Sequence, residues 1–248
     1  MTGQVAVVTG GSRGIGRAAA IGAAKLGYKV VVGYASNEAA AREVVSQIEA
    51  SNGKAIAVKC DVGIEADIVN LFKAADGFGK LGALVNNAGV VDKTTRVDEM
   101  SAERLVRMMN INIVGSILCA REAVKRMSTK HGGPGGVIVN LSSVAATLGS
   151  PGLYVDYAAS KGAIDTFTVG LAREVSDEGI RVNAIRPGLI DTDIHASGGE
   201  PGRAQKLAHT IPMKRVGTAD EVANAVVWLM SDEASYVTGT IFDVSGGR

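Results

Sequence analysis

Short apolar runs alternate with longer stretches of helical period along the whole chain. Val5-Ala6-Val7-Val8 is rich in β-branched residues and reads as a strand buried on both faces. Arg17 to Leu26 then carry a helical pattern closed by Gly27, and Lys29 to Val32 form a second strand. Glu38 to Ser51 is amphipathic and ends at Asn52-Gly53, before a third strand over Ala55–Cys60 that closes on Asp61-Val62. A helix from about Ile64 to Ala75 precedes the strand Ala83-Leu84-Val85. Ser101 to Met127 reads as one long helix, and a glycine-proline loop leads from it to a fifth strand, Val137–Leu141. Ala158, Ile164, Phe167, Leu171 and Val175 mark a helix reaching about Asp177. Ile180–Ile185 is a sixth strand, Thr218–Met230 a helix and Thr238–Val244 the last strand. With no linker or repeat, the alternation predicts one doubly wound α/β domain with a mostly parallel sheet of about seven strands and helices on both faces.

The residues able to do chemistry fall at the carboxyl ends of these strands, where open α/β sheets bind ligands. Thr9-Gly10-Gly11-Ser12-Arg13-Gly14-Ile15-Gly16 joins a strand to a helix. Glycines there let the backbone approach a pyrophosphate, and the helix N-terminus supplies N–H groups and positive dipole. Asn86-Asn87-Ala88-Gly89 suits a place where the backbone passes a flat ligand and side-chain amides tie neighbouring strands. Asn110 and Asn112 are mediocre helix formers among apolar neighbours, which points to a polar task. Tyr157 and Lys161 are four apart, so they project from one helix face. A phenol titrates near ~10, and an ammonium close by should lower that value towards the range where Tyr157 exchanges a proton.

The spacing Thr-Gly-x-x-x-Gly-x-Gly, the Asn-Asn-Ala-Gly tetrapeptide, Ser143, Tyr157-x-x-x-Lys161 and Pro187-Gly188 occur in the order that resembles the short-chain dehydrogenase/reductase family over nearly the whole chain. The resemblance implies a Rossmann-type fold and the catalytic set Asn112, Ser143, Tyr157 and Lys161. Ser142 stays as an outside candidate, because the spacing from Ser143 to Tyr157 is one residue longer than in many relatives. The cofactor would be held by Gly10, Ser12, Arg13, Gly14, Ile15 and Gly16, by Asp61 and Val62 along the adenine, and by Asn87, Ala88 and Gly89. Tyr157, Lys161, Pro187, Gly188, Ile190 and Thr192 would hold its nicotinamide end. NAD-specific branches carry an acid just after the second strand; here Gly33-Tyr34-Ala35-Ser36-Asn37 has none before Glu38. Arg13, Ser36 and Asn37 could instead bind a 2′-phosphate, which favours NADP(H). The stretches Ser150–Asp165 and His195–Arg203 most resemble bacterial oxidoreductases near the glucose 1-dehydrogenases. The expected substrate is a small carbonyl compound or alcohol, with a sugar as one option. A 3-oxoacyl-[acyl-carrier-protein] reductase is the enzyme alternative, and a non-enzymatic NADP-binding regulator the alternative of another class. Residues 191–210 are expected to form a substrate lid with Ile194, His195, Glu200, Leu207 and Ile211, opposite a wall of Leu148 and Tyr154. Relatives usually form tetramers through paired long helices and C-terminal strands.

Composition narrows the partners. Lys and Arg number 26 against 25 Asp and Glu, a net charge of +1 that offers no field for nucleic acid or an acidic membrane. Cys60 and Cys119 lack metal-ligand spacing, and His131, His195 and His209 are scattered, so no metal site is expected. No apolar run reaches eighteen residues and no signal segment opens the chain, which predicts a cytoplasmic protein away from the membrane.

Overall fold

The computed structural model describes residues 3–192 and 202–248. Seven strands, β1 (Val5–Val8), β2 (Lys29–Tyr34), β3 (Lys54–Lys59), β4 (Leu81–Asn86), β5 (Gly136–Leu141), β6 (Ile180–Pro187) and β7 (Ile241–Val244), form one sheet of order β3-β2-β1-β4-β5-β6-β7. Every pairing is parallel. The carboxyl ends therefore share one edge, and the order reverses between β1 and β4 to open a crevice there.

Helices cover both faces. On one side α1 (Gly14–Lys25), α2 (Glu38–Ala50) and α8 (Ala219–Met230) close over Ala6, Val8, Val30, Val32 and Val139. On the other, α3 (Glu65–Phe78), α5 (Ser116–Met127) and α7 (Val155–Val175) cover Val5, Val7, Val31, Leu84 and Ile138. Successive strand residues feed opposite cores, which is why the strands are apolar throughout rather than alternating. Caps set helix starts: Asn37 Oδ1 accepts the Ala40 N–H at 3.0 Å, and Thr218 with Glu221 forms a capping box.

The expected single helix from Ser101 to Met127 differs from what is found. It is α4 (Ala102–Met109), a wide π-helical turn over Asn110–Gly115, and then α5. The wide turn aims two asparagines at separate partners. Asn110 Nδ2 donates to Gly63 O at 2.9 Å, while Asn112 exchanges hydrogen bonds with the Val90 backbone. Gly115 lets the turn press on the neighbouring loop, because a Cβ there would lie 2.5 Å from Val62 O. Such turns recur at functional sites. Asn110 is half-buried against the Gly63 backbone.

Candidate active site

The glycine turn between β1 and α1 is built for close approach. A Cβ on Gly16 would stand 2.3 Å from Gly10 O, and Gly14 has a left-handed φ of 52°. Among the described residues the N-cap Arg13 side chain does not cap α1 and no acid occupies its first turn, so its N-terminal amides face the crevice. Asn87 braces this turn: its Nδ2 donates to Thr9 O and Gly10 O, both at 3.0 Å. Thr9 Oγ1 in turn accepts from the Asn87 and Ala88 amides at 3.1 and 3.0 Å. These contacts fit a dinucleotide cradle: a backbone that comes close, donors that point outward and, in the first turn of α1, no carboxylate to repel phosphate.

All the residues expected from the sequence for cofactor and chemistry lie on this one edge. Ser12, Arg13 and Ile15 belong to the β1–α1 turn, with Thr192 packed over Gly14. Ser36 and Asn37 are exposed after β2. Asp61 and Val62 follow β3, where Asp61 Oδ1 accepts the Gly63 N–H at 2.8 Å and Val62 is buried in the core. These four do not line the cavity that holds Tyr157 and Lys161.

The cavity itself, about 440 Å³, is bounded by Asn87 and Gly89, by Ser142 and Ser143, by Tyr157 and Lys161, and by Pro187, Gly188, Ile190 and Thr192. Ser143 Oγ accepts the Ala145 N–H at 3.1 Å, at the start of α6 (Ala145–Leu148), and the hydroxyl lies beside the Tyr157 phenol on the same cavity wall. Ser142 is placed differently: buried, it donates to the Lys161 carbonyl at 3.2 Å and ties β5 to α7. The geometry thus brings Ser143, not Ser142, to the phenol. Lys161 Nζ donates to Leu141 O at 2.7 Å and sits 5.6 Å from the centre of the Tyr157 ring. Asn112 accepts from the Val90 N–H at 2.8 Å and donates to Ser160 Oγ at 3.1 Å, holding the chain after Gly89 beside α7.

The electrostatics correct one expectation. In the free chain Lys161 does not lower the Tyr157 titration. Burial pushes the phenol up to about 12, and the hydrogen bond from Ser143 opposes this only in part. Burial also pulls Lys161 down to about 8, with Asp165 opposing. Loss of solvation acts against both charged forms. The free site is a neutral acid beside an ammonium that is easily discharged.

Several contributors carry no sequence signal. Arg104 of α4 grips the first turn of α7, with Nε 2.7 Å from Asp156 Oδ2 and Nη2 3.1 Å from Oδ1. Its Nη1 also donates to Lys93 O at 2.6 Å and Thr95 Oγ1 at 2.9 Å. One guanidinium thereby joins α4, the segment after β4 and the residue preceding Tyr157. Arg248 lines the cavity too, and with Lys161 it supplies the charge among the described lining residues, none of them acidic. Tyr154, expected as a wall, stacks edge-on against Tyr157 with ring centres 5.8 Å apart, and Leu148 lines the same side. Ile211, expected to close over a ligand, is instead buried in the fold against Gly246. Ile194, His195, Gly198, Gly199 and Glu200 of the expected lid lie outside the described residues.

Comparison with known proteins now decides the family. The protein-family model that matches residues 6–248 is described as enoyl-(acyl carrier protein) reductase. An uncharacterized oxidoreductase of Escherichia coli, YgfF, is 56% identical over 98% of this chain and 99% of its own length. The chain belongs to the short-chain dehydrogenase/reductase family. Glucose 1-dehydrogenase 2 of Bacillus subtilis is 41% identical over 100% of this chain and 95% of its own. A 3-oxoacyl-[acyl-carrier-protein] reductase of Synechocystis is 39% identical over 100% and 97%. Among solved structures, a short-chain dehydrogenase of Burkholderia cenocepacia in complex with NADP superimposes with a TM-score of 0.90 at 32% identity, covering 99% of this chain and 98% of that one. The resemblance read from the motifs is thereby borne out, as is the Rossmann-type parallel sheet.

Among the described residues, no helix is long and apolar enough to cross a membrane.

Proposed function

We propose that the protein is an NADP(H)-dependent oxidoreductase interconverting a small carbonyl compound and its secondary alcohol. The observation that carries this reading is one cavity wall shared by Ser143, Tyr157 and Lys161, with Lys161 Nζ 5.6 Å from the centre of the Tyr157 ring and Gly89 packed closely between Asn112 and Lys161. NADP(H), when bound, supplies or accepts the hydride. Ser143 holds the substrate oxygen and offsets the negative charge developing on it. Tyr157, neutral below about 12, gives that oxygen its proton in the reducing direction and takes it back in the oxidising one. Lys161 contributes positive charge beside the phenol and a donor for the cofactor ribose. Asn112 holds the Val90 backbone and the Ser160 hydroxyl, keeping the proton path in register.

The choice of NADP(H) rests on Arg13 and Ser36 beside a β2 end without a carboxylate; Asn37 contributes its amide, since its oxygen caps α2. The solved neighbour in complex with NADP supports it. Arg13→Ala should weaken NADPH by about tenfold and NADH little, as expected for one charge-assisted contact to a 2′-phosphate. Titration of both nucleotides by fluorescence reads this, and equal weakening would refute the assignment.

Acyl-carrier-protein reduction is the less supported reading. Its acidic partner calls for a basic patch, and the candidate cluster Lys125, Arg126 and Lys130 is already paired with acids. Lys125 and Arg126 bind Glu122 at 2.9 and 2.8 Å, Arg126 also binds Asp76, and Lys130 binds Glu178 at 2.7 Å. NADPH oxidation with a panel of aldehydes, ketones, sugars and acyl thioesters tests both readings. A chain that binds NADPH and turns over none of them would favour the regulator.

We also propose a homotetramer. Val106 on α4, Val114 on the wide turn and Ile117 on α5 are 69%, 45% and 38% exposed, an apolar face that a second copy could cover. Light scattering at micromolar concentration should give about four times the 25.4 kDa chain mass; a monomer would contradict it.

A further inference from the structure

Lys161 and Asp165 lie one turn apart on α7, and both are buried. Arg186 of β6 holds the Asp165 carboxylate through Oδ2 alone, with Nε at 2.9 Å and Nη2 at 2.8 Å. Its Nη1 lies 3.6 Å from Asp243 Oδ1 on β7, so the guanidinium is shared between two acids. The second oxygen of Asp165 is buried with no hydrogen-bond partner among the described residues. A buried acceptor left in that state opposes folding, so its presence at this position calls for a cause.

Lys161, one turn away on the same face of α7, is a buried cation that feels this carboxylate. Its hydrogen bond goes to the neutral carbonyl of Leu141, which satisfies a proton without balancing the charge. Along α7 it neighbours Tyr157 on one side and Asp165 on the other. The end of β5 presents the Leu141 carbonyl, β6 presents Arg186 beyond Asp165, and Arg248 lines the same cavity. The segment after β4 and the wide turn bring Asn87, Gly89 and Asn112, none of which titrates. Burial works against the ammonium, and Asp165 is the group that works for it.

We propose that Asp165 is a positioning residue that keeps Lys161 cationic, and that Arg186, by capping only one carboxylate oxygen, sets how much of that negative charge Lys161 feels. This rests on the role given to Lys161 above, but its test does not require turnover. In protein carrying ε-13C-lysine, the Lys161 signal, assigned by its loss in Lys161→Arg, should titrate near about 8. Asp165→Asn should move that midpoint down by about one unit, and Arg186→Gln should move it up, because the carboxylate is then no longer shared. The alkaline limb of kcat/KM for carbonyl reduction should follow in the same directions. Asp165→Asn should lose about tenfold at pH ~9 and little near pH ~6, where Lys161 is charged in both proteins. An unmoved midpoint in Asp165→Asn that keeps the native circular dichroism overturns the proposal. So do shifts of one sign in both variants, the outcome expected if Asp165 only ties α7 to β6. Should Asp165→Asn fail to fold, Arg186→Gln decides alone, and any result other than an upward shift overturns it. A wild-type protein that reduces no carbonyl would instead count against the proposed function and leave the titration readable.

Discussion

Tyr157→Phe should lower kcat/KM for carbonyl reduction by about 10³-fold, the span ascribed to a positioned general acid. The substitution removes one oxygen and keeps the ring, so the edge-on contact with Tyr154 at 5.8 Å and the place of Lys161 over the ring persist. Ser143 keeps the Ala145 amide. NADPH affinity should change little, since the glycine turn and its Asn87 brace are untouched. Stopped-flow turnover beside fluorescence titration separates the two effects. Turnover retained within tenfold, or cofactor binding lost in its place, would remove Tyr157 from the acid/base role. Because burial holds the phenol at about 12, reduction should not be limited by loss of the tyrosine proton at any pH below ~10. An alkaline limit appearing below that belongs to Lys161.

Arg104→Met should destabilise the fold by about 3 kcal/mol, because it leaves the Asp156 carboxylate, fully buried as a side chain, without its partner. For a chain of this length that corresponds to a fall in Tm of roughly 6–12 °C. Calorimetry would show it. The pH dependence identifies the cause. Burial alone would push the Asp156 carboxyl up, but Arg104 and the amides at the start of α7 outweigh it and hold it below the usual carboxylate range. In the wild type this carboxylate therefore contributes stability above its unfolded pKa, and the contribution is lost as pH falls below it. In the variant burial is unopposed by the guanidinium, so the penalty arises on ionisation and fades in acid. The difference in Tm between the two proteins should shrink from pH ~7 towards pH ~4. A difference constant across that range would mean that lost packing, not charge, is responsible. The first turn of α7 also carries Tyr157, so kcat should fall in the surviving native fraction.

The order and type of the elements were legible in the chain. Each apolar β-branched run between glycine turns became a strand, and each stretch of helical period except Ser101–Met127 became one helix, because buried parallel strands and amphipathic helices impose different spacings on their apolar residues. The close-approach glycine turn after β1 was legible too. Backbone approach demands glycines at particular offsets, and those offsets are local. Boundaries slipped by a few residues where nothing but neighbouring strands decides them: β4 gained Leu81, Gly82 and Asn86, and β7 lost Thr238 to Thr240. What tertiary structure alone decided are interactions between residues far apart in sequence. The change of pitch at Asn110–Gly115 is set by Gly63, Val62 and Val90, which no periodicity along the helix contains. The Arg104–Asp156 clamp and the arrival of Arg248 at the cavity are likewise meetings that only the assembled sheet creates. The titration of the Tyr157–Lys161 pair shows the same division. Four-residue spacing placed the two groups on one face, but the sign of their shifts depended on how much water the fold removes, and a sequence does not state its solvation.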